Sequence, residues 1–354
     1  MDIALVTGAS SGIGEQFVRQ LIRERSSFGS VPFEEIWLVA RRQDRLFSLK
    51  EELDAKRIRV FALDLGDPSS ITSLKEALAE AKPSIGLLVN CAGVGQTGAF
   101  EDNEISAISS IVSVNCSALA QITSICLPYM IPTGDVCTFS TGPRIINVAS
   151  SAGFIPQPNF AVYAASKAFV ISLSRALHAE LRIHNIAVTT VCPGPVDTDF
   201  ISVASGVPGK KTSGFKGLFT VHADRLVRKS ILATKKGRGL YVYGWSQKAL
   251  HVLSKILPTA LFTFIMTRHT KNTETTEIAP ISEDKATDSS SETTLPEIIQ
   301  SSSKTIATEK VVATETAEAS ERKAETASIS TIIEPQKTDE TDASEKILSK
   351  YTEK

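Results

Sequence analysis

The chain has no Cys-x-x-Cys and no paired cysteine spacing. Its five cysteines, Cys91, Cys116, Cys126, Cys137 and Cys192, are scattered. That pattern excludes a disulfide scaffold and a structural zinc site, and it predicts a reduced, cytoplasmic protein. A signal-like leader is not expected, because residues 3–6 already read as a strand. No apolar run reaches the roughly 18 residues that span a bilayer. Residues 273–354 have no Gly, Cys, Phe, Trp, Met or His, and 27 of those 82 residues are Ser or Thr. Such a segment buries too little apolar surface to offset its ordering entropy. A disordered acidic tail is therefore expected over residues 269–354, behind a single domain over 1–268.

The near-zero net charge of −1 hides a division. Residues 273–354 hold 18 acidic and 9 basic side chains, a net of −9. Residues 1–272 hold 21 acidic and 29 basic, a net of +8. No motif points to nucleic acid.

Short, mostly apolar runs recur through the first part: residues 3–6, 36–40, 60–63, 85–89, 145–148, 187–191 and 239–243. They suit strands buried on both faces. Helical patterns separate them, which predicts a doubly wound parallel α/β sheet of about seven strands with helices on both faces. After the first strand comes Thr7-Gly8-Ala9-Ser10-Ser11-Gly12-Ile13-Gly14, then a helical pattern. Strand, glycine-rich turn and helix form the setting of a dinucleotide site. Gly8 serves the tight turn, Gly12 lets backbone approach a pyrophosphate, and Gly14 lets the helix sit close.

The second strand ends in Arg41 and Arg42 rather than in the acid that holds a ribose 2′-hydroxyl. Arg41 there favours a 2′-phosphate, hence NADP(H) over NAD(H). Asp64, followed by Leu65, ends the third strand, where its carboxylate suits an adenine amino group. Asn90, Ala92 and Gly93 end the fourth, leaving room beside the backbone. Ser150 follows the fifth strand, at a sheet edge where such folds bind ligands. Tyr163 and Lys167, four apart on the next helix, share a face. An ammonium beside the phenol is expected to lower its pKa and make Tyr163 a general acid/base. Residues 199–222 are rich in Gly, Ser and Lys and read as a mobile substrate segment. Residues 246–267 read as one apolar helix docked on the core, on a second subunit or on a membrane interface. Phe154, Ile155, Phe160 and Phe200 hint at an apolar substrate.

In order and spacing, the glycine turn, Asn90-Cys91-Ala92-Gly93, Asn115, Ser150, Tyr163-Ala164-Ala165-Ser166-Lys167 and Pro193-Gly194 resemble the short-chain dehydrogenase/reductase family. The resemblance covers residues 1–266. It implies a single Rossmann-type domain, dimeric or tetrameric, moving a hydride between a nicotinamide and a small carbonyl/alcohol pair. It implies that Tyr163 exchanges the substrate proton, Ser150 holds the substrate oxygen, and Lys167 holds the nicotinamide ribose. It also implies that Asn115 positions a relay water and that Pro193, Val196 and Thr198 border the nicotinamide. Ser10, Ser11 and Ile13 complete the implied cofactor cradle, and no metal is called for. Cys91 departs from the family's second Asn. The other reading is a cofactor-binding scaffold that uses the acidic tail for protein interaction.

Overall fold

The computed structural model describes residues 1–23, 33–53, 56–131, 138–207 and 221–274, with side chains to residue 267. They lie in one compact unit, Met1–Pro280. Residues 275–354, the bulk of the expected tail, fall outside the described residues.

Seven parallel strands run in the order β3-β2-β1-β4-β5-β6-β7. They are β1 (Asp2–Thr7), β2 (Glu35–Ala40), β3 (Ile58–Ala62), β4 (Ser84–Asn90), β5 (Arg144–Val148), β6 (Ala187–Cys192) and β7 (Leu240–Val242). The helices are α1 (Gly12–Arg23), α2 (Gln43–Leu53), α3 (Pro68–Ala81), α4 (Ile105–Val112), α5 (Leu119–Cys126), α6 (Ala161–Glu180), α7 (Phe200–Ser205), α8 (Ala223–Lys235), α9 (Trp245–Ile256) and α10 (Thr259–Glu274). This is the Rossmann-type doubly wound sheet that the apolar runs imply.

Alternation along each strand feeds two cores. Ala4 and Val6 of β1 join Phe17, Leu21, Leu226 and Ile231 on the α1 and α8 side. Ile3 and Leu5 join Leu74, Leu78 and Ile122 on the α3 and α5 side. Because helices cover both faces, both side chain sets are mostly apolar, so the strands read as largely apolar runs. The chain order reverses between β1 and β4. A crevice opens there at the strands' carboxyl ends. Thr7 spans it: its hydroxyl accepts the N–H groups of Cys91 and Ala92, each at 3.1 Å.

Two elements depart from the sequence expectation. The stretch expected as one helix over 246–267 is two, α9 and α10. Leu257 is extended (φ −89°, ψ 145°) because the Pro258 ring disfavours helical geometry in the residue before it. The second of these runs to Glu274. The substrate segment begins as helix α7, while its residues 208–220 lie outside the described ones. The helical stretch Ile105–Tyr129 is, by length and composition, apolar enough to cross a membrane, although no unbroken apolar run is. Its inner side chains Val114, Asn115, Ala118, Leu119, Ile122 and Cys126 are buried, as in a core helix.

Candidate active site

The cofactor side is built at the β1–α1 turn. Gly8 has φ +68°, and a Cβ there would stand 2.8 Å from the Ala92 backbone. Gly12 has φ +57°, and its missing Cβ would meet the Thr198 methyl at 3.1 Å. A Cβ on Gly14 would strike the Gly8 carbonyl, so α1 seats directly on the turn. Because α1 starts at Gly12, the N–H groups of its first turn, within Gly12, Ile13 and Gly14, lack intrahelical carbonyls and carry the positive end of the helix dipole.

At the tip of β2, Arg41 lies 3.8 Å from the Asp64 carboxylate, both largely exposed. The other Asp64 oxygen accepts the Gly66 N–H at 2.9 Å. Arg42 turns back to the glycine turn. It donates to the Ser11 hydroxyl at 2.6 Å and to the Ser10 hydroxyl at 3.3 Å. Sequence reasoning named the two serines and Arg41 but left Arg42 out. Its adjacency to Arg41 was the available signal. The side chain of Asn90 turns into the protein instead of the crevice: it donates to Thr123 Oγ1 at 3.0 Å and to Asn147 Oδ1 at 2.9 Å. Leu65 is buried in the core, and Ala92 and Gly93 line the turn beyond β4. Pro193 offers its carbonyl to the Ser151 N–H at 2.8 Å, and Val196 bridges to Val221.

The other side of the crevice gathers Asn115, Ser150, Tyr163 and Lys167. The Lys167 ammonium stands 5.5 Å from the Tyr163 ring centroid and donates to the Val148 carbonyl at 3.2 Å. The Ser150 hydroxyl caps the following turn by accepting the Ala152 N–H at 3.1 Å. Asn115 sits in a one-turn π-helical stretch, Ser113–Ala118, between α4 and α5. It accepts the Val94 N–H and donates to the Val94 carbonyl and the Ser166 hydroxyl, all at 2.9 Å. Ser166 in turn donates to the Tyr163 carbonyl at 2.7 Å. The 90s loop, the π turn and α6 are thus tied through one amide.

Electrostatics correct one expectation. The Tyr163 phenol is not lowered by the neighbouring ammonium; burial pushes it up to about 12, against a downward pull from the Ser150 hydroxyl. Burial also lowers Lys167 to about 8, with the nearby Cys91, Cys116 and Cys192 sulfurs opposing that shift. Desolvation outweighs the pair's attraction because both groups sit in the wall of the fold.

Phe160 stacks on the Tyr163 ring at 4.3 Å and Phe200 tilts against it at 5.3 Å. Phe154 and Ile155, grouped with them from sequence, pack elsewhere: Phe154 lies 4.5 Å from the His251 ring and Ile155 is buried. Gly95 passes under the aromatic group, where a Cβ would stand 2.9 Å from Phe200. It also lines a cavity of about 250 Å³ between residues 94–97, α4 and the end of α7. That cavity does not include Tyr163 itself; Gly95 and Phe200 separate the two.

A family model described as short chain dehydrogenase matches residues 2–205. The chain belongs to that family. Among similar proteins, sulfoacetaldehyde reductase 2 of Chromohalobacter salexigens is 34% identical over 207 residues, 58% of this chain and 77% of that protein. The fold is shared with a short-chain dehydrogenase from Sphingobium yanoikuyae in complex with NADPH, at TM-score 0.59 and 24% identity, covering 81% of this chain and 99% of that one. It is also shared with a 3-ketoacyl-(acyl-carrier-protein) reductase from Brucella melitensis complexed with NADH, at TM-score 0.56 and 23% identity, covering 68% and 96%. The protein is therefore an oxidoreductase of the short-chain dehydrogenase/reductase family. A nicotinamide dinucleotide fits the residues present: side-chain-free backbone at Gly12, a helix N-terminus behind it, two guanidinium groups at the β2 tip and the Ser10 and Ser11 hydroxyls of the glycine turn.

Proposed function

We propose that the protein moves a hydride between NADP(H) and a carbonyl/alcohol pair on a small, apolar substrate, with Tyr163 as general acid/base. The observation that carries this reading is the convergence of Ser150, Tyr163 and Lys167, with Asn115 behind them, at the carboxyl edge of the sheet. The bound nicotinamide supplies or accepts the hydride. A carbonyl under reduction develops negative charge on oxygen. The Ser150 hydroxyl uses a lone pair on Ala152, which leaves its proton to donate to that oxygen. A phenol held near 12 keeps its proton at neutral pH, as a general acid for reduction requires. Lys167 supplies positive charge next to the phenolate that proton transfer leaves. Arg41 and Arg42 hold the 2′-phosphate, and Ser10 and Ser11 support Arg42. The aromatic flanks Phe160 and Phe200 favour an apolar carbonyl. The aldehyde reductase among the relatives accords with carbonyl reduction. In this reading the protein works in the cytoplasm, and the family resemblance implies a homodimer or homotetramer.

The test is NADPH consumption over a panel of aldehydes and ketones, repeated with NADH. Tyr163→Phe is expected to lower kcat by about 10²–10⁴-fold while NADPH binding is kept. If no carbonyl is turned over by the parent and Tyr163→Phe behaves identically, the catalytic reading fails and a binding scaffold takes its place.

A further inference from the structure

We propose that the outer face of α9 and α10 docks on an anionic lipid bilayer and presents the site to apolar carbonyls dissolved in it. The substrate part of this proposal rests on the catalytic reading above; the docking part does not.

Trp245, Ala249, Val252 and Ile256 follow the spacing i, i+4, i+7, i+11 and form one stripe along α9. All four are exposed, Trp245 at 75% and Ile256 at 74%. After the break at Pro258 the apolar surface continues on α10 with Leu261, Phe264 (63% exposed) and Ile265. The opposite side of α9 is packed: His251 meets Phe154, and Gln247 lies over Gly194, where a Cβ would stand 2.8 Å from its amide. Those contacts seat α9 on the two segments that follow Ser150 and β6. The stripe therefore faces out from the rim of the candidate active site.

Charge selects the occupant. Residues 245–267, which form the face, carry Lys248 and Lys255 and no acid, a net of +2. Lys248 and Lys255 are exposed about one and three turns along the same flank of the stripe. Apolar side chains with a Trp, bordered by lysines, match the interface of a bilayer with anionic headgroups. A second copy of the face would bring like charges, Lys248 and Lys255 of each chain, together without an acid to pair them. The acidic segment 273–354 answers the charge but has no Phe, Trp or Met to cover the stripe.

The chain reports on itself, because it has two tryptophans and Trp37 is fully buried. The full-length protein is mixed with vesicles of phosphatidylcholine, alone or with phosphatidylserine. Expected are co-sedimentation with the anionic vesicles only, a blue shift of Trp245 emission, quenching by brominated acyl chains, and weakening by salt. The double variant Ile256→Glu, Phe264→Glu is expected to lower partitioning at least tenfold and to keep turnover of a water-soluble carbonyl. A long-chain aldehyde carried in anionic vesicles is then reduced faster by the parent than by the variant. The docking proposal is overturned if anionic vesicles neither sediment the protein nor shift Trp245. It is equally overturned if light scattering shows a dimer that Ile256→Glu dissociates while vesicles are ignored, or if an acidic protein binds the face and vesicles do not. Vesicle binding without any carbonyl turnover overturns the substrate part and the catalytic reading together, and leaves docking standing.

Discussion

At the scale of single residues, two guanidinium groups at the tip of β2 have different duties. Arg41 leans toward the Asp64 carboxylate at 3.8 Å, and Arg42 is held by the Ser10 and Ser11 hydroxyls. Neither is spent on a buried partner, so both are free to turn to a phosphate. Removing a charge-assisted hydrogen bond costs about 1.5–3 kcal/mol. Arg41→Ala or Arg42→Ala is thus expected to weaken NADPH binding roughly tenfold to a hundredfold and NADH binding little, as calorimetric titration with each cofactor would read. If both cofactors weaken equally, the arginines do not read the 2′-phosphate. Lys167 gives a second expectation. Burial lowers its pKa to about 8, so the ammonium is present below that pH and lost above it. Carbonyl reduction that relies on its charge falls as pH rises through about 8, and kcat/KM from about pH 6 to about pH 10 shows the limb. Lys167→Met should lower the rate and remove that limb. A parent profile flat across pH 8 would mean that the charge plays no part in proton transfer.

At the scale of elements, the strands were the legible part. Covering both sheet faces favours apolar residues on both, and that bias shows in the sequence at all seven strands, with buried polar exceptions at Arg144, Asn147, Thr189 and Thr190 that find partners or sit among neighbouring strands. The glycine turn was legible for the same kind of reason, since a positive φ at Gly8 and contact between Gly14 and the Gly8 carbonyl leave few alternatives. Two features were not legible. The π turn at Ser113–Ala118 carries no propensity mark; it exists because Asn115 is aimed at the Val94 peptide and Ser166, residues distant in sequence. The upward shift of Tyr163 also escaped, because Tyr-x-x-x-Lys spacing reports proximity and says nothing of burial. Asn115 therefore makes an element-scale test. Asn115→Ala leaves the Val94 N–H and carbonyl and the Ser166 hydroxyl without that partner inside the protein. A loss of about 1–3 kcal/mol per orphaned group that stays dry is the relevant scale. The variant is expected to unfold at lower urea concentration and to lose turnover together, because the 90s loop and α6 both frame the site. A variant with unchanged stability would mean that water replaces the amide in full.

At the scale of the whole molecule, the same covered sheet that hides its strands also hides thiols, and this sets its tolerance of alkali. Cys126 and Cys192 are fully buried, and burial pushes each from the ordinary 9.0 up to about 12. In the unfolded chain they ionise near 9, while the folded protein keeps their protons. Between pH 9 and 12 the unfolded state therefore binds fewer protons, and stability falls as pH rises, by about 1.4 kcal/mol per pH unit for each thiol at most. Tyr163 adds to the fall between its ordinary 10.0 and about 12. Lys167 opposes it, since a base lowered from 10.5 to about 8 makes the folded state bind fewer protons in that window and lifts stability as pH rises through it. That single opposing group is exhausted by 10.5, whereas the thiols and the phenol continue. Urea midpoints measured under reductant are thus expected to decline above about pH 9 and to steepen above about pH 10.5. Cys126→Ala, whose cavity lowers the level of stability, should nevertheless make the decline with pH shallower. A slope identical to the parent's would show that Cys126 ionises in the folded protein and that the core between α5 and the sheet admits water.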